Sequence, residues 1–524
     1  MSLASEGRAA AGGGVPPVRR RTDGALAGLA RLLVSVFFRR VEVTGAARLP
    51  AAGPLLVVGN HQNGLIDPLL ITLAVSRSSG RMPRFLATHL LWRNLVLRPW
   101  IQMAGVIPIY RPKDVGGAVD PAQNAAAFAR CYEQLAAGGA VALFPEGRSH
   151  SEPGLVPLKT GAARIVLEAV RRFPAMTPLI VPIGLTFEAK GTFRSRALLE
   201  VGEPIDPSPE IALDRQAPEG GGGGPVASAA AVRALTARIE SGLRAVTLNY
   251  GSWDEARRIG RAAEVFAGGG AVPREEPLAD RSLLQRAFIE GYAELRDRHP
   301  ERVAAAAEAV DRYDRLLRAL GLRHDQAAAA YTAAPVARWL GLTLWRLLLF
   351  LPLAAVGVVL NWLPYRLIGE IAARASGSAD VSASYKVFGG LVFFPLTWIA
   401  ESAAAAWLDG PGHAFGPRWA AAAAVLAVAP LTGWIALRFD DRRGRLRDEA
   451  RAYLLLRSPR AITAELRSLR DAAAGEVTAL VALYEGLPGA LVGRSVPAEA
   501  VEQISAADGG LVEALGGDIP LQGQ

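Results

Sequence analysis

The sequence predicts an α/β domain followed by a helical region and C-terminal membrane helices. Three observations carry this reading. Short apolar strand-like runs alternate with helical patterns between about residues 45 and 210, the order that produces an α/β layer structure. A charge-laced helical pattern follows. Three nearly charge-free runs then appear between residues 334 and 438. Hydrophobic residues make up 51% of the 524-residue chain, enough for a large core and too apolar for disorder.

The N-terminus, "MSLASEGRAAAGGGVPPVRRRTDG", is small, polar and basic and lacks the apolar core of a secretory signal. Residues 24–38, "GALAGLARLLVSVFF", read as a short helix suited to a membrane interface, closed by Arg39 and Arg40. Residues 1–44 form this first unit. The α/β domain, 45–210, opens with the strand "GPLLVVG" and the helix start "DPLLITLAV". The strand "GVIPIY" follows, and then the helix "PAQNAAAFARCYEQLAAGG", ended by glycines. "AVALF" is the next strand, running to Phe144, "TGAARIVLEAVRRF" a helix, and "PLIVPIGLTF" and "LLEVGEPI" the closing strands.

Residues 211–333 combine the glycine-rich linker "PEGGGGGP" with a soluble helical region such as "EAVDRYDRLLRAL". The region 334–438 holds runs 347–363, 387–400 and 419–437, with tryptophans near their ends and "RFDDRRGRLR" after the last. A charged helical tail with a Gly-rich end, 439–524, completes the chain.

Lys plus Arg outnumber Asp plus Glu by 58 to 49, a net charge of +9. That balance suits anionic partners such as phospholipid headgroups or phosphorylated metabolites, although an arginine- and alanine-rich composition accounts for it equally well. No zinc-finger spacing or nucleic-acid motif is present, so nucleic acid is not an expected partner. Cys131 is the single cysteine, which excludes an intrachain disulfide and a cysteine-based metal cluster. It lies in a helical pattern, as a buried thiol would.

In "VVGNHQNGLIDPLL", His61 stands just past a strand, where neither a sheet ladder nor an amphipathic helix needs it. Asp67-Pro68 has a plain explanation as a helix start, with aspartate at the N-cap and proline in the first turn. The same carboxylate can accept a proton from one imidazole nitrogen of His61, leaving the other to act as a general base toward a hydroxyl. Arg111 follows the strand "GVIPIY", and Glu146, Gly147 and Arg148 lie in the turn after "AVALF". Exposed arginines are usually solvated surface. Two at the ends of two strands can instead converge on a phosphate, whose oxygens match the guanidinium fork.

Ser149-His150 lacks the glycine elbow of a serine hydrolase, and "LVPLKTG" lacks the spacing of a nucleotide-binding loop. No HExxH or clustered ligand spacing points to a metal.

Taken in order, "NHQNGLID", "GVIPIYR", "LFPEGRSHSE…LKTGAARI" and "LIVPIGLTF" resemble the four blocks of the glycerophospholipid acyltransferase family. The resemblance implies an acyltransferase-like mixed sheet flanked by helices. It also implies transfer of a fatty acyl group from an acyl thioester, acyl-CoA or acyl-carrier protein, to a hydroxyl of glycerol 3-phosphate in phospholipid biosynthesis. 1-Acylglycerol 3-phosphate and dihydroxyacetone phosphate are the alternative acceptors, and a non-catalytic, anionic-lipid-binding membrane protein is the minor alternative. No bound cofactor or metal is implied. The partners are the phosphorylated glycerol acceptor, the thioester donor and membrane lipids, at the cytoplasmic membrane with the active domain on its cytoplasmic side.

Carried over residue by residue, the resemblance makes His61 the base and Asp67 its orienting carboxylate. Arg111, Glu146, Gly147 and Arg148 become the substrate and phosphate site, and Pro182 a lining residue of the acyl site. The commonest first block has four residues between histidine and aspartate. This chain has five, Gln62 to Ile66, as in the branch with fungal glycerol-3-phosphate/dihydroxyacetone-phosphate acyltransferases and bacterial relatives. "ASYKVFGGLVFFPLTW" also resembles the later hydrophobic region of that branch.

Overall fold

The computed structural model describes residues 22–94, 97–111, 114, 121–216, 227–268, 277–328, 333–375, 379–408, 418–457, 461–485 and 502–504. The basic N-terminal residues, the glycine-rich linker 217–226 and most of the Gly-rich C-terminus lie outside the described residues.

Eight strands form one mixed sheet: β1 (Arg40–Thr44), β2 (Leu55–Gly59), β3 (Arg84–Thr88), β4 (Ile107–Ile109), β5 (Ala140–Leu143), β6 (Leu179–Phe187), β7 (Arg196–Val201) and β8 (Glu502–Ile504). Their order is β4-β3-β5-β2-β6-β7-β1-β8. Pairings are parallel except β6 with β7 and β1 with β8. β2 occupies the centre because "LLVVG" is apolar on both faces, and every one of its residues is buried. Because β2, β3, β4 and β5 run parallel, their C-terminal ends share one edge of the sheet. Ligands of open α/β sheets bind at that edge.

Two hydrophobic clusters cover the faces. One face packs against α1 (Asp23–Phe37) and α2 (Ile66–Ser79), and includes Val57, Leu70, Ile71, Phe85 and Ile183. The other packs against α4 (Pro121–Ala136), α5 (Gly161–Arg172) and α7 (Ala229–Ala245), through Val58, Leu135, Val166, Ile180 and Leu235. Short helices α3 (Arg98–Met103) and α6 (Ser208–Gln216) complete this part. α1 turns Leu26, Ala30, Val34 and Phe37 inward at helical spacing and leaves Leu32 exposed. Cys131 is buried in α4, and burial pushes its thiol up to about 12, so it is chemically quiet.

β1 and β3 are strands that the sequence patterning does not reveal, because their charged residues point inward in pairs. Arg84 of β3 is buried and forked onto both carboxylate oxygens of Asp23 at 2.9 Å, tying α1 to the sheet. Glu42 of β1 is buried beside Arg40 and accepts the amide of Ala279. Ala279 belongs to α9 (Leu278–Arg298), whose Ser282 and Arg286 also hold Glu200 of β7. The charge-laced region therefore docks on the sheet. It continues as α8 (Trp253–Ala267), α10 (Pro300–Leu320) and α11 (His324–Ala328). Together with α15 (Ala461–Glu485) these build a separate helical core around Tyr313, Leu317 and Val477.

The three apolar runs lie in α12 (Ala333–Ala375), α13 (Ala379–Leu408) and α14 (Arg418–Arg457). All three are long and apolar enough to cross a membrane. α14 is continuous: its apolar half ends at Leu437, and its charged half reaches the helical core through Ala452. One asparagine links the three. Asn361 of α12 donates to the carbonyls of Gly357 and Ala429, while its own carbonyl accepts the Trp398 indole N–H at 2.9 Å. Gly357 is required there, since a Cβ would fall 2.0 Å from the Thr432 carbonyl oxygen. Replacing Asn361 by Leu removes these interhelical bonds and is expected to lower stability by about 1–2 kcal/mol. A thermal melt in detergent that left Tm unchanged would contradict this role.

Candidate active site

The site grows from the end of β2. Asn60, buried, clamps this exit to β6 by a reciprocal pair: its amide donates to the Leu185 carbonyl at 3.0 Å, and its carbonyl accepts the Leu185 amide at 2.7 Å. His61 comes next. Its backbone N–H donates to Glu146 Oε2 at 2.8 Å, and its carbonyl accepts the His150 amide at 3.1 Å. Its ring stacks on Phe144, with centroids 4.1 Å apart and planes 12° from parallel. Backbone and ring are thus both held by the segment that follows β5. Gly59 makes room for this: a Cβ there would lie 2.9 Å from Ile71 and 3.3 Å from the Phe144 ring.

Asp67 is fully buried, and its Oδ2 lies 2.9 Å from His61 Nδ1. The same oxygen accepts the amides of Gln62 and Asn63 at 2.8 Å each. A carboxylate only accepts, so the proton between the two side chains sits on Nδ1. Nε2 is left as an acceptor on a ring that is 18% exposed. The structure changes one detail of the local reading. α2 begins at Ile66, so Asp67 lies inside its first turn and is not the N-cap. Its carboxylate folds back over the preceding turn, where Gly64 adopts φ +46°.

The turn after β5 holds the remaining groups. β5 ends at Leu143, one residue before the expected Phe144. Glu146 is buried, bonded to the His61 amide and 3.0 Å from His150 Nε2. Burial pushes its carboxyl above the usual range, while His150 and the His61 amide act in the opposite direction. Gly147 has φ +73°, a conformation that favours glycine. The Gly147 carbonyl accepts from Arg111 Nη1 at 3.0 Å, and Arg111 Nε lies 2.5 Å from Asp114. Asp114 also accepts the Thr88 hydroxyl, so β3 and β4 both contribute to orienting the guanidinium. Arg148 projects from the same turn, exposed, with no hydrogen bond or ion pair to another described residue.

The structure therefore gathers His61, Asp67, Glu146, Gly147 and Arg111 into one bonded unit, with Arg148 at its mouth. Pro182 stands apart. It pairs in register with Val58, and its ring faces Gly202 and Gly242, where added Cβ atoms would lie 2.9 and 3.3 Å from its Cγ. That is the α7 face, opposite the one that carries Phe144. Sequence reading passed over Asn60 and Asp114, took Phe144 only as a strand end and weighed His150 only as part of a serine hydrolase. Only Asp114 carries a local signal, an acid three residues after Arg111. A further contact comes from the apolar helices, where Ser384 Oγ of α13 accepts the Leu65 amide at 2.9 Å. Lys386 holds the Gly191 carbonyl, and Val387 packs into the α2 core, so α13 rests on the His61–Asp67 turn. Among the described residues no cluster of three His, Cys, Asp or Glu side chains could hold a metal ion.

Comparison with known proteins now bears on this site. Residues 40–186 match the Acyltransferase family profile, and residues 274–485 match that of the glycerol-3-phosphate acyltransferase 2 C-terminal domain. These matches support membership of the glycerophospholipid acyltransferase family. The acyltransferase match spans every predicted site residue from His61 to Pro182. The chain is 31% identical to glycerol-3-phosphate O-acyltransferase 2 of Saccharomyces cerevisiae, over 39% of its own length and 25% of the yeast protein's. It is 26% identical to glycerol-3-phosphate O-acyltransferase 1 of the same yeast, over 52% of its length and 36% of that protein's. It thus spans well under half of either yeast protein. Among solved structures it resembles the 1-acyl-sn-glycerophosphate acyltransferase of Thermotoga maritima, at 20% identity and a TM-score of 0.30, covering 44% of this chain and 82% of that one.

The raised Glu146 group makes a pH prediction for the α/β domain. A carboxyl whose folded pKa exceeds its unfolded value binds more protons when folded, so it costs stability as pH rises between the two values. Glu146→Gln should flatten that decline in Tm above the ordinary glutamate pKa. A variant whose decline ran parallel to that of the parent would refute it.

Proposed function

We propose that the protein transfers a fatty acyl group from an acyl thioester, acyl-CoA or acyl-carrier protein, to a hydroxyl of glycerol 3-phosphate at a membrane. One observation carries the reading: His61, with Nδ1 held by buried Asp67 and Nε2 available, is hydrogen-bonded through its own backbone to the turn that holds Arg111 and bears Arg148. Base and phosphate-binding charge are therefore parts of one rigid unit.

In this mechanism Nε2 of His61 takes the proton as the acceptor hydroxyl attacks the thioester carbonyl. Asp67 stabilises the imidazolium that forms. The tetrahedral intermediate collapses with cleavage of the C–S bond, and the imidazolium proton passes to the departing thiolate. Arg111 and Arg148 hold the acceptor phosphate, which turns a bimolecular encounter into an oriented one. Glu146 acts through position, fixing the backbone of His61. α13, seated on the His61–Asp67 turn, keeps the reaction close to the bilayer that receives the lipid product. The cytoplasmic face is the side on which both thioester donors are found.

Glycerol 3-phosphate is favoured as acceptor by the five-residue spacing of the first block and by the names of the two yeast relatives. 1-Acylglycerol 3-phosphate and dihydroxyacetone phosphate share its phosphate and neighbouring hydroxyl, and a panel of the three acceptors with both donors ranks them.

His61→Ala in membranes is expected to lower kcat by about 10²–10⁴-fold, the usual worth of a general base, with little change in KM. Turnover close to that of the parent protein would remove His61 from the mechanism. Arg111→Ala is expected to raise the KM for the phosphorylated acceptor by about tenfold or more, the loss of one charge-assisted contact. An unaltered acceptor KM would disprove phosphate positioning by this arginine.

A further inference from the structure

The proposed reaction leaves one buried histidine beside the site without a role. His150 follows the turn that bears Arg148, and its side chain is 2% exposed against 18% for His61. A ring enclosed to that degree is closed off from substrate, so any part it takes in the reaction passes through a neighbour.

Two of its contacts lead to His61. The His150 amide donates to the His61 carbonyl at 3.1 Å, and the His61 amide donates to Glu146 Oε2 at 2.8 Å. His150 Nε2 stands 3.0 Å from that same carboxylate oxygen, an ion-pair distance, and makes no hydrogen bond elsewhere among the described residues. Both backbone groups of His61 are thus taken by the segment from Glu146 to His150. The other ring nitrogen decides the tautomer. Nδ1 of His150 accepts the Glu152 amide at 3.1 Å, so the proton of the neutral ring sits on Nε2, facing Glu146. His61 is the reverse, with its proton on Nδ1 toward Asp67.

Glu146 depends on this partner. Its side chain is wholly buried, and Oε1 has no hydrogen-bond partner among the described residues. Without His150 the carboxylate would keep only the His61 amide. A buried carboxylate so poorly compensated turns away or takes up a proton, and either change loosens its hold on His61. The backbone around His150 is anchored independently of its ring. Lys190 Nζ donates to the His150 carbonyl at 2.6 Å, and the Trp253 indole N–H donates to the Ser151 carbonyl at 3.1 Å. The imidazole is therefore aimed at Glu146 from a loop held on two sides.

We propose that His150 is a positioning residue for acyl transfer: it holds Glu146 through Nε2, and through Glu146 it fixes the backbone of His61 so that the base meets the acceptor hydroxyl. The inference rests on the proposed reaction and adds to it a second carboxylate–histidine pair, joined to the first through the main chain of His61.

Two amide substitutions separate the contacts of the ring. In His150→Gln the side-chain amide extends to the Nε2 position and can donate to Glu146. In His150→Asn it extends only to the Nδ1 position, which serves the Glu152 amide and leaves Glu146 without its partner. The full chain in membranes is assayed with a long-chain acyl-CoA and the acceptor, among the three, that the parent turns over fastest; Tm is recorded in parallel. His150→Asn is expected to lower kcat by about ten- to hundredfold, as a displaced base does, with both KM values within about twofold of the parent. His150→Gln should recover most of that loss. Parent-like kcat in His150→Asn overturns the proposal. Equal losses in the Asn and Gln variants also overturn it, since packing alone would then explain the residue, and so does a change confined to KM. A parent chain that turns over none of the acceptors removes the proposed reaction, a separate outcome. The contact is then judged by a double-mutant cycle in Tm with Glu146→Ala, where additive effects overturn it and coupled effects support it.

Discussion

The candidate site depends on one buried carboxylate oxygen. Asp67 Oδ2 accepts from His61 Nδ1 and from the amides of Gln62 and Asn63 within 2.9 Å. An aspartate taken out of water is costly unless donors replace its hydration; three N–H groups do so at Oδ2, while Oδ1 is buried with no hydrogen-bond partner among the described residues. The same bonds specify the histidine tautomer and close the turn. The conformation of the loop and the chemistry of the ring are therefore set together: the loop cannot relax without exposing or stranding the carboxylate. Pro68, lacking an N–H, follows at a helix position whose amide would have no intrahelical partner in any case.

A second constraint fixes the site relative to the sheet. Asn60 bonds both backbone groups of Leu185, and Glu146 bonds the backbone of His61, so the exit of β2 is held from the β6 side and the β5 side at once. Glu146 serves through its carboxylate and its burial, in contact with a main-chain amide and with His150. Arg111 is fixed in a similar way, by a carbonyl of the β5 turn and by Asp114, which is itself held from β3. Neighbouring strand ends thus hold one another's side chains, which is how groups from separate parts of the chain keep a common geometry at the edge of a parallel sheet.

The apolar helices are joined to this unit at specific points. α13 accepts a hydrogen bond from the His61–Asp67 turn through Ser384, and α14 holds Arg194 through Asp441. Arg194 also donates to the carbonyls of Ser35 and Phe38 around the end of α1, so α1, the β6–β7 loop and α14 share one guanidinium. The apolar helices are consequently part of the support of the site as well as candidates for crossing a bilayer.

The sequence by itself indicated the α/β class and the three apolar runs, and it singled out His61, Asp67, Arg111, Glu146, Gly147 and Arg148 as candidates, because apolar periodicity, strand-end placement and ordered motifs are local properties. It did not reveal β1 and β3, whose buried Glu42 and Arg84 look like surface charges until their partners at Ala279 and Asp23 are brought near by folding. Nor could it show that Pro182 faces α7 while Phe144, on the other face, lies under the His61 ring. That distinction rests on strand register, where a shift of one residue exchanges the two faces of a sheet. Only the tertiary structure decided which strand ends meet, and so which polar group satisfies which buried partner.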